Sequence, residues 1–172
     1  MNANLFEPKY ALYDSLEEML APETLSELLS KPITRVDFQS ITDHGGVAGG
    51  KLSYVITNFG RLVLKQMSIK HDWIMFSSDD QHCRSVTLWQ YGMLDQLHPN
   101  LEHKTLACGY ENNTWVILMV DLSKHVFKGS EKITPEITPI FLDALAKTHA
   151  TFWNDSRLHD PRLGLCNETQ SC

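Results

Sequence analysis

Residues 43–66 read DHGGVAGGKLSYVITNFGRLVLKQ. Gly45, Gly46, Gly49 and Gly50 stand ahead of the alternating run LSYVITN, and RLVLKQ follows after Asn58 to Gly60, carrying Lys65 in an apolar setting. Side chains on a strand alternate between its faces, so period-two patterning on both sides of a short turn reads as a hairpin. With ITRVDFQSI upstream, the stretch predicts a three-strand antiparallel meander. The glycines then have two explanations. They are an ordinary turn between strands, or a turn whose backbone amides approach a triphosphate where side chains would collide, with Lys65 supplying a point charge from the next strand. Lys65 also has an ordinary reading, as a strand lysine extending to water. A Walker loop is excluded, because Gly50 and Lys51 are followed by Leu52 in a strand pattern and not by Ser or Thr at a helix start.

Upstream, SLEEMLAPETLSELLSKP has helical spacing interrupted at Pro22, which predicts one or two short helices ending before Pro32. Downstream, Val86, Trp89, Met93 and Leu97 recur every three or four positions between Asp79 or Asp80 and Leu97, one face of a helix that stops at His98 and Pro99. TLACGYE and TWVILMV are two strands joined by Asn112 and Asn113, the second apolar throughout as a central strand is. A polar connector over 121–132 leads to ITPEITPIFLDALAKTHATFW, a long helix ending near Trp153, with Ile137, Phe141, Leu145, Thr148 and Phe152 on one face and its start left open by Pro139. The tail NDSRLHDPRLGLCNETQSC carries turn residues and reads as irregular. The fold class is α+β: a five-stranded antiparallel sheet with one inserted helix, followed by a long helix.

At 172 residues and 42% apolar composition the chain buries a real core within one ordinary domain's length. A net charge of −6 with scattered Lys and Arg gives a nucleic acid no electrostatic footing. The longest apolar run is Trp115 to Val120, far short of a membrane span, and the N-terminus lacks a basic start before an apolar stretch, so a soluble cytoplasmic protein with unmodified sequons at Asn112, Asn154 and Asn167 is expected. Cys83, Cys108, Cys166 and Cys172 form no CxxC pair and have no His at zinc spacing, which reads as reduced thiols and no metal framework.

The order of elements (strand, glycine turn, strand, strand with lysine, helix, two strands, connector, helix) is similar to the small lobe of a protein-kinase-like fold entering its large lobe. DWIMFSSDDQHCRSVTLWQYGMLDQL, WVILMVDLS and FLDALAKTHATFW together resemble the aminoglycoside phosphotransferase and choline kinase-like family, in particular its ecdysteroid kinase-like branch, over about residues 20–165. The resemblance implies a small lobe over 1–120, a connector over 121–133 and a truncated start of the helical large lobe over 134–172. It implies that Gly45, Gly46, Gly49 and Gly50 cover the phosphates of ATP, that Lys65 pairs with the alpha and beta phosphates, and that the backbone from Met119 to Asp121 faces the adenine ring. Asp121 has an equally simple reading as a turn former at a strand end.

The chain departs from that pattern in two places. The glutamate that holds the lysine in kinase-like lobes falls on Ser85 here, and Asp79 and Asp80, which stand near enough to substitute, more naturally cap a helix. The catalytic aspartate and the magnesium ligands belong to sequence beyond the helix that ends at Trp153, and HDPRLG does not supply them, since position 165 is Leu where the catalytic loop needs Asn. It reads as a turn. His149 reads as a packed helix histidine, and Trp73, Trp89, Trp115 and Trp153 as core rather than a stacking platform. Two functions remain open. One is the ATP-binding lobe of a small-molecule kinase, which moves a phosphoryl group to a hydroxyl acceptor when complete and is inactive as this chain, with no catalytic or metal residue to name. The other is a non-catalytic module that binds a nucleotide or a protein. A small-molecule acceptor is expected only with a large lobe, no nucleic acid or membrane is expected as a partner, and an uncovered last helix predicts self-association.

Overall fold

A computed structural model describes residues 6–42, 48–125 and 134–165. The N-terminal helical segment is two helices, α1 (Leu16–Met19) and α2 (Pro22–Leu29). The Ser15 hydroxyl accepts from Glu18 N to start α1, and Pro22, which has no N–H to leave unpaired, opens α2. Ser30 turns left-handed (φ 51°) and the chain leaves helix before Pro32.

Five strands follow: β1 (Val36–Ile41), β2 (Lys51–Thr57), β3 (Gly60–Met67), β4 (Thr105–Glu111) and β5 (Thr114–Val120). They form one sheet in the order β1-β2-β3-β5-β4, and every pairing is antiparallel. Alternation assigns the faces. Val55, Leu62, Leu64, Val116 and Leu118 face Met19, Leu20 and Leu25 of the α1–α2 segment. Met67, Ile117 and Cys108 face the other way, onto α3 (Trp73–Ser77) and α4 (Arg84–Gln90) through Met75, Val86 and Trp89. β5 lies between β3 and β4 with helices on both faces, which is why TWVILMV shows no alternation. Each fully buried side chain of this kind stabilises the fold by about 1.5–3 kcal/mol.

The region expected as one helix from Asp79 or Asp80 to Leu97 is broken. α3 precedes it, started by Asp72, whose carboxylate accepts from Ile74 N and Met75 N. α4 ends at Gln90, Gly92 adopts φ +67°, and a single 3-10 turn spans Leu94–Gln96. The apolar spacing survives the break because the turn still delivers Met93 to the core, where it is 1% exposed. Asp80 acts as the capping reading expects: both carboxylate oxygens accept from Arg84 N, at 3.0 and 3.1 Å.

The tail is anchored. Short 3-10 turns at Ser156–His159 and Pro161–Leu163 bring Leu163 to full burial; Thr87 Oγ1 donates to Leu163 O at 2.8 Å, and the Arg84 guanidinium donates to Gly164 O and Ser78 O. Within HDPRLG, Asp160 accepts from Arg162 N, a turn as its composition implies. At the other end, Lys9 N and Tyr10 N donate to Gln90 O, and Tyr10 stacks on Trp89 with centroids 4.6 Å apart.

The last helix, α5 (Thr138–Thr151), begins four residues after Thr134, since Pro139 fits only in a first helical turn. It buries no residue, and Ile140, Phe141, Leu142, Leu145 and the following Trp153 stand exposed. Of the tryptophans expected in the core, Trp89 is buried, whereas Trp73 (57% exposed), at the start of α3, and Trp153 (75%), just beyond α5, are not. Among the described residues no helix is long and apolar enough to cross a membrane.

Candidate functional site

Residues paired across an antiparallel sheet share a face, so the register lays out the surface around Lys65. One row runs Ile41, Leu52, Lys65, Ile117, Cys108, and the next runs Gln39, Tyr54, Val63, Met119, Thr105. The helical layer covers the β4–β5 end of this face. Leu52, Tyr54, Val63, Lys65 and Met119 are left half-buried, an apolar shelf with one ammonium in it.

The glycine turn ends against this shelf. Gly45 and Gly46 lie outside the described residues. Gly49 has φ +96°, and a Cβ there would stand 1.9 Å from His71 O, so the fold itself requires glycine. A Cβ on Gly50 would lie 3.6 Å from Lys65 Cε, which puts the turn beside the lysine. Trp73 N donates to Ala48 O at 2.9 Å and ties the turn to the start of α3.

Cys83, the buried residue preceding α4, belongs to the same apolar cluster as Ile117, the β5 partner of Lys65, whereas Ser85 is exposed. Burial pushes the Cys83 thiol up to about 11; hydrogen bonding and the nearby Lys65 charge pull the other way and are outweighed. The Cys83 thiol is therefore neutral at pH 7. Among the described residues no carboxylate is ion-paired with Lys65. Asp79 accepts from Gln81 Nε2, and Asp80 is committed to Arg84 N, so neither takes the place of the glutamate.

At the far edge of the shelf, β5 ends in Asp121. The Arg61 guanidinium donates to its carboxylate at 2.8 Å and lies 4.2 Å from the centroid of the Tyr54 ring. Burial disfavours the Asp121 charge, but hydrogen bonds from Ser123 and the Arg61 guanidinium overcome this and hold the carboxyl below its ordinary value. Its side chain thus fixes the strand end, the simpler of its two readings, and leaves the Met119–Asp121 backbone as the part beside the shelf. Leu52, Val63 and Arg61 had not been singled out from the sequence. The signal was present: residues 61 and 63 share parity with Lys65, and Leu52 and Tyr54 pair with Lys65 and Val63 across one hairpin.

His149, expected to be packed, is exposed and lines a cleft of about 760 Å³ with Met93, Leu94, Thr148, Phe152 and Trp153. Among the described residues no group of His, Cys, Asp and Glu is arranged to hold a metal ion, and Cys83 and Cys108 are free thiols. No protein-family model, curated protein or solved structure matches the chain.

Proposed function

We propose that this chain is the nucleotide-binding lobe of a small-molecule kinase-like protein, holding ATP on the Lys65 face of the sheet. The observation that carries the reading is Lys65, a half-buried ammonium without an ion-paired carboxylate among the described residues, set in an apolar shelf beside Gly50. Leu52, Tyr54, Val63 and Met119 offer a base the apolar contact it needs, and Lys65 offers the phosphates a charge-assisted hydrogen bond. The strand order and the helices inserted between β3 and β4 agree with the kinase-like resemblance. The cytoplasm is the compartment such a nucleotide site fits.

Phosphoryl transfer asks for a group to orient the acceptor hydroxyl and for oxygen ligands to magnesium. An exposed Ser85 and a Lys65 without an ion-paired carboxylate among the described residues favour for this chain the version of the reading that binds without turnover. Calorimetry with ATP on the wild type and on Lys65→Ala tests it. A charged hydrogen bond to phosphate is worth about 1.5–3 kcal/mol, so the variant is expected to bind roughly ten- to a hundredfold more weakly. Tight binding untouched by the substitution contradicts the role of Lys65, and a chain that takes no nucleotide leaves a protein-binding module.

A further inference from the structure

Magnesium is the metal that a kinase-like nucleotide site implies, and it accepts only oxygen ligands in near-octahedral geometry. Among the described residues, the carboxylates at the starts of α3 and α4 and at the end of β5 do not fit it. Asp72 is 4% exposed and caps α3 through Ile74 N and Met75 N. Asp80 caps Arg84 N with both oxygens, and Asp121 is held by Arg61 and Ser123 N. Freeing any of these for a metal removes a helix cap or the tie at the end of β5.

Resting on the nucleotide reading above, we propose that the Lys65 site takes a metal-free nucleotide polyphosphate, with the Lys65 ammonium as the cation that magnesium supplies elsewhere. Lys65 is half-buried among Leu52, Val63 and Ile117, and the buried Cys83 thiol before α4 shares the apolar cluster of Ile117. An ammonium so placed has no ion-paired carboxylate among the described residues, and a phosphate oxygen supplies it with a charge-assisted hydrogen bond and a counter-charge. Magnesium on the same phosphates cancels two of their negative charges and keeps its own water shell, because no described carboxylate here is placed to replace that water. Binding therefore weakens as magnesium is added. This is the reverse of the usual dependence.

The test is calorimetry on the intact chain with ATP, first in excess EDTA and then in excess magnesium, with adenosine as a phosphate-free probe and with Lys65→Met and Lys65→Arg alongside the wild type. Expected are ATP binding in EDTA, a loss of about tenfold on adding magnesium, a loss of tenfold or more in Lys65→Met that also removes the magnesium effect, and adenosine affinity equal in wild type and variant. Lys65→Arg keeps the charge and is expected to keep most of the ATP affinity in EDTA. Thermal unfolding of each variant confirms that it is folded. ATP affinity that rises with magnesium overturns the metal-free proposal and leaves the nucleotide reading standing; ATP and adenosine both failing to bind in either buffer overturns the two together.

Discussion

Gly49→Ala is expected to cost about 3 kcal/mol of folding stability, for reasons that reside in the fold and not in any ligand. At φ +96° an L side chain carries strain of about 1–3 kcal/mol. The added Cβ also meets His71 O at 1.9 Å, a distance that no real contact tolerates, so the His71 peptide must move by more than an ångström. That peptide leads into Asp72, which caps α3, and Trp73, whose N–H is bonded to Ala48 O, and disturbing either contact adds about 1 kcal/mol. Against this, alanine lowers the entropy of the unfolded chain and returns about 0.4–1 kcal/mol. Gly50→Ala is the internal control: the nearest atoms its Cβ would meet are Gln66 O and Met67 Cγ, both at 3.4 Å, and Lys65 Cε at 3.6 Å, and its φ is unstrained, so it is expected to cost under about 1 kcal/mol. Urea unfolding of the two variants beside the wild type measures the difference. A Gly49→Ala variant within about 0.5 kcal/mol of wild type would refute the reasoning, and equal losses at both positions would assign the cost to the turn as a whole instead of to the His71 contact.

Three further outcomes follow from the same geometry. Lys65→Met, which exchanges a half-buried ammonium for an apolar chain of similar length, is expected to leave stability unchanged or to raise it by about 1 kcal/mol; a clear loss in urea unfolding would reveal a counter-charge on Lys65. Stability is expected to fall as pH rises from 9 toward about 11, because the unfolded Cys83 thiol ionises first and the unfolded state then binds fewer protons than the folded one. The loss attributable to Cys83 is roughly 2–3 kcal/mol, read as the difference in slope between wild type and Cys83→Ala, and parallel slopes argue against the buried neutral thiol. The uncovered apolar residues of α5 predict concentration-dependent association in sedimentation, reduced in Leu142→Lys/Leu145→Lys; a wild-type monomer at high concentration that binds no hydrophobic dye counts against that surface.

Much of the architecture was legible in the residues. TLACGYE and TWVILMV became β4 and β5 without adjustment, and the restart at Pro22 divided the first helical segment. Strand patterns are local: alternation is a consequence of backbone geometry at each residue, and Asn112 and Asn113 accept the left-handed conformation their hairpin needs, with φ 49° and 58°. The middle helix was harder. Its apolar spacing continued through Gly92 into a 3-10 turn, and a buried side chain has the same spacing signature whether or not the backbone between is helical. The tryptophans misled for a related reason, since an apolar residue type carries a preference for burial but no knowledge of whether a neighbouring layer exists to cover it.

The candidate site divides in the same way. By itself the sequence determined that Lys65 lies mid-strand after a glycine turn, that Val63 shares its face, and that the strand ending at Asp121 is apolar enough to be central. Only the tertiary structure decided that β5 lies beside β3, that Arg61 holds Asp121 across that pairing, that His71 presses on Gly49, and that Cys83 is buried in the cluster of Ile117 while Ser85 is exposed. A helix turns about 100° per residue, so moving its start by two positions presents a different side chain to the sheet. Strand alternation follows from the geometry of each residue in turn, whereas the residue that a helix buries depends on where that helix begins and how it packs.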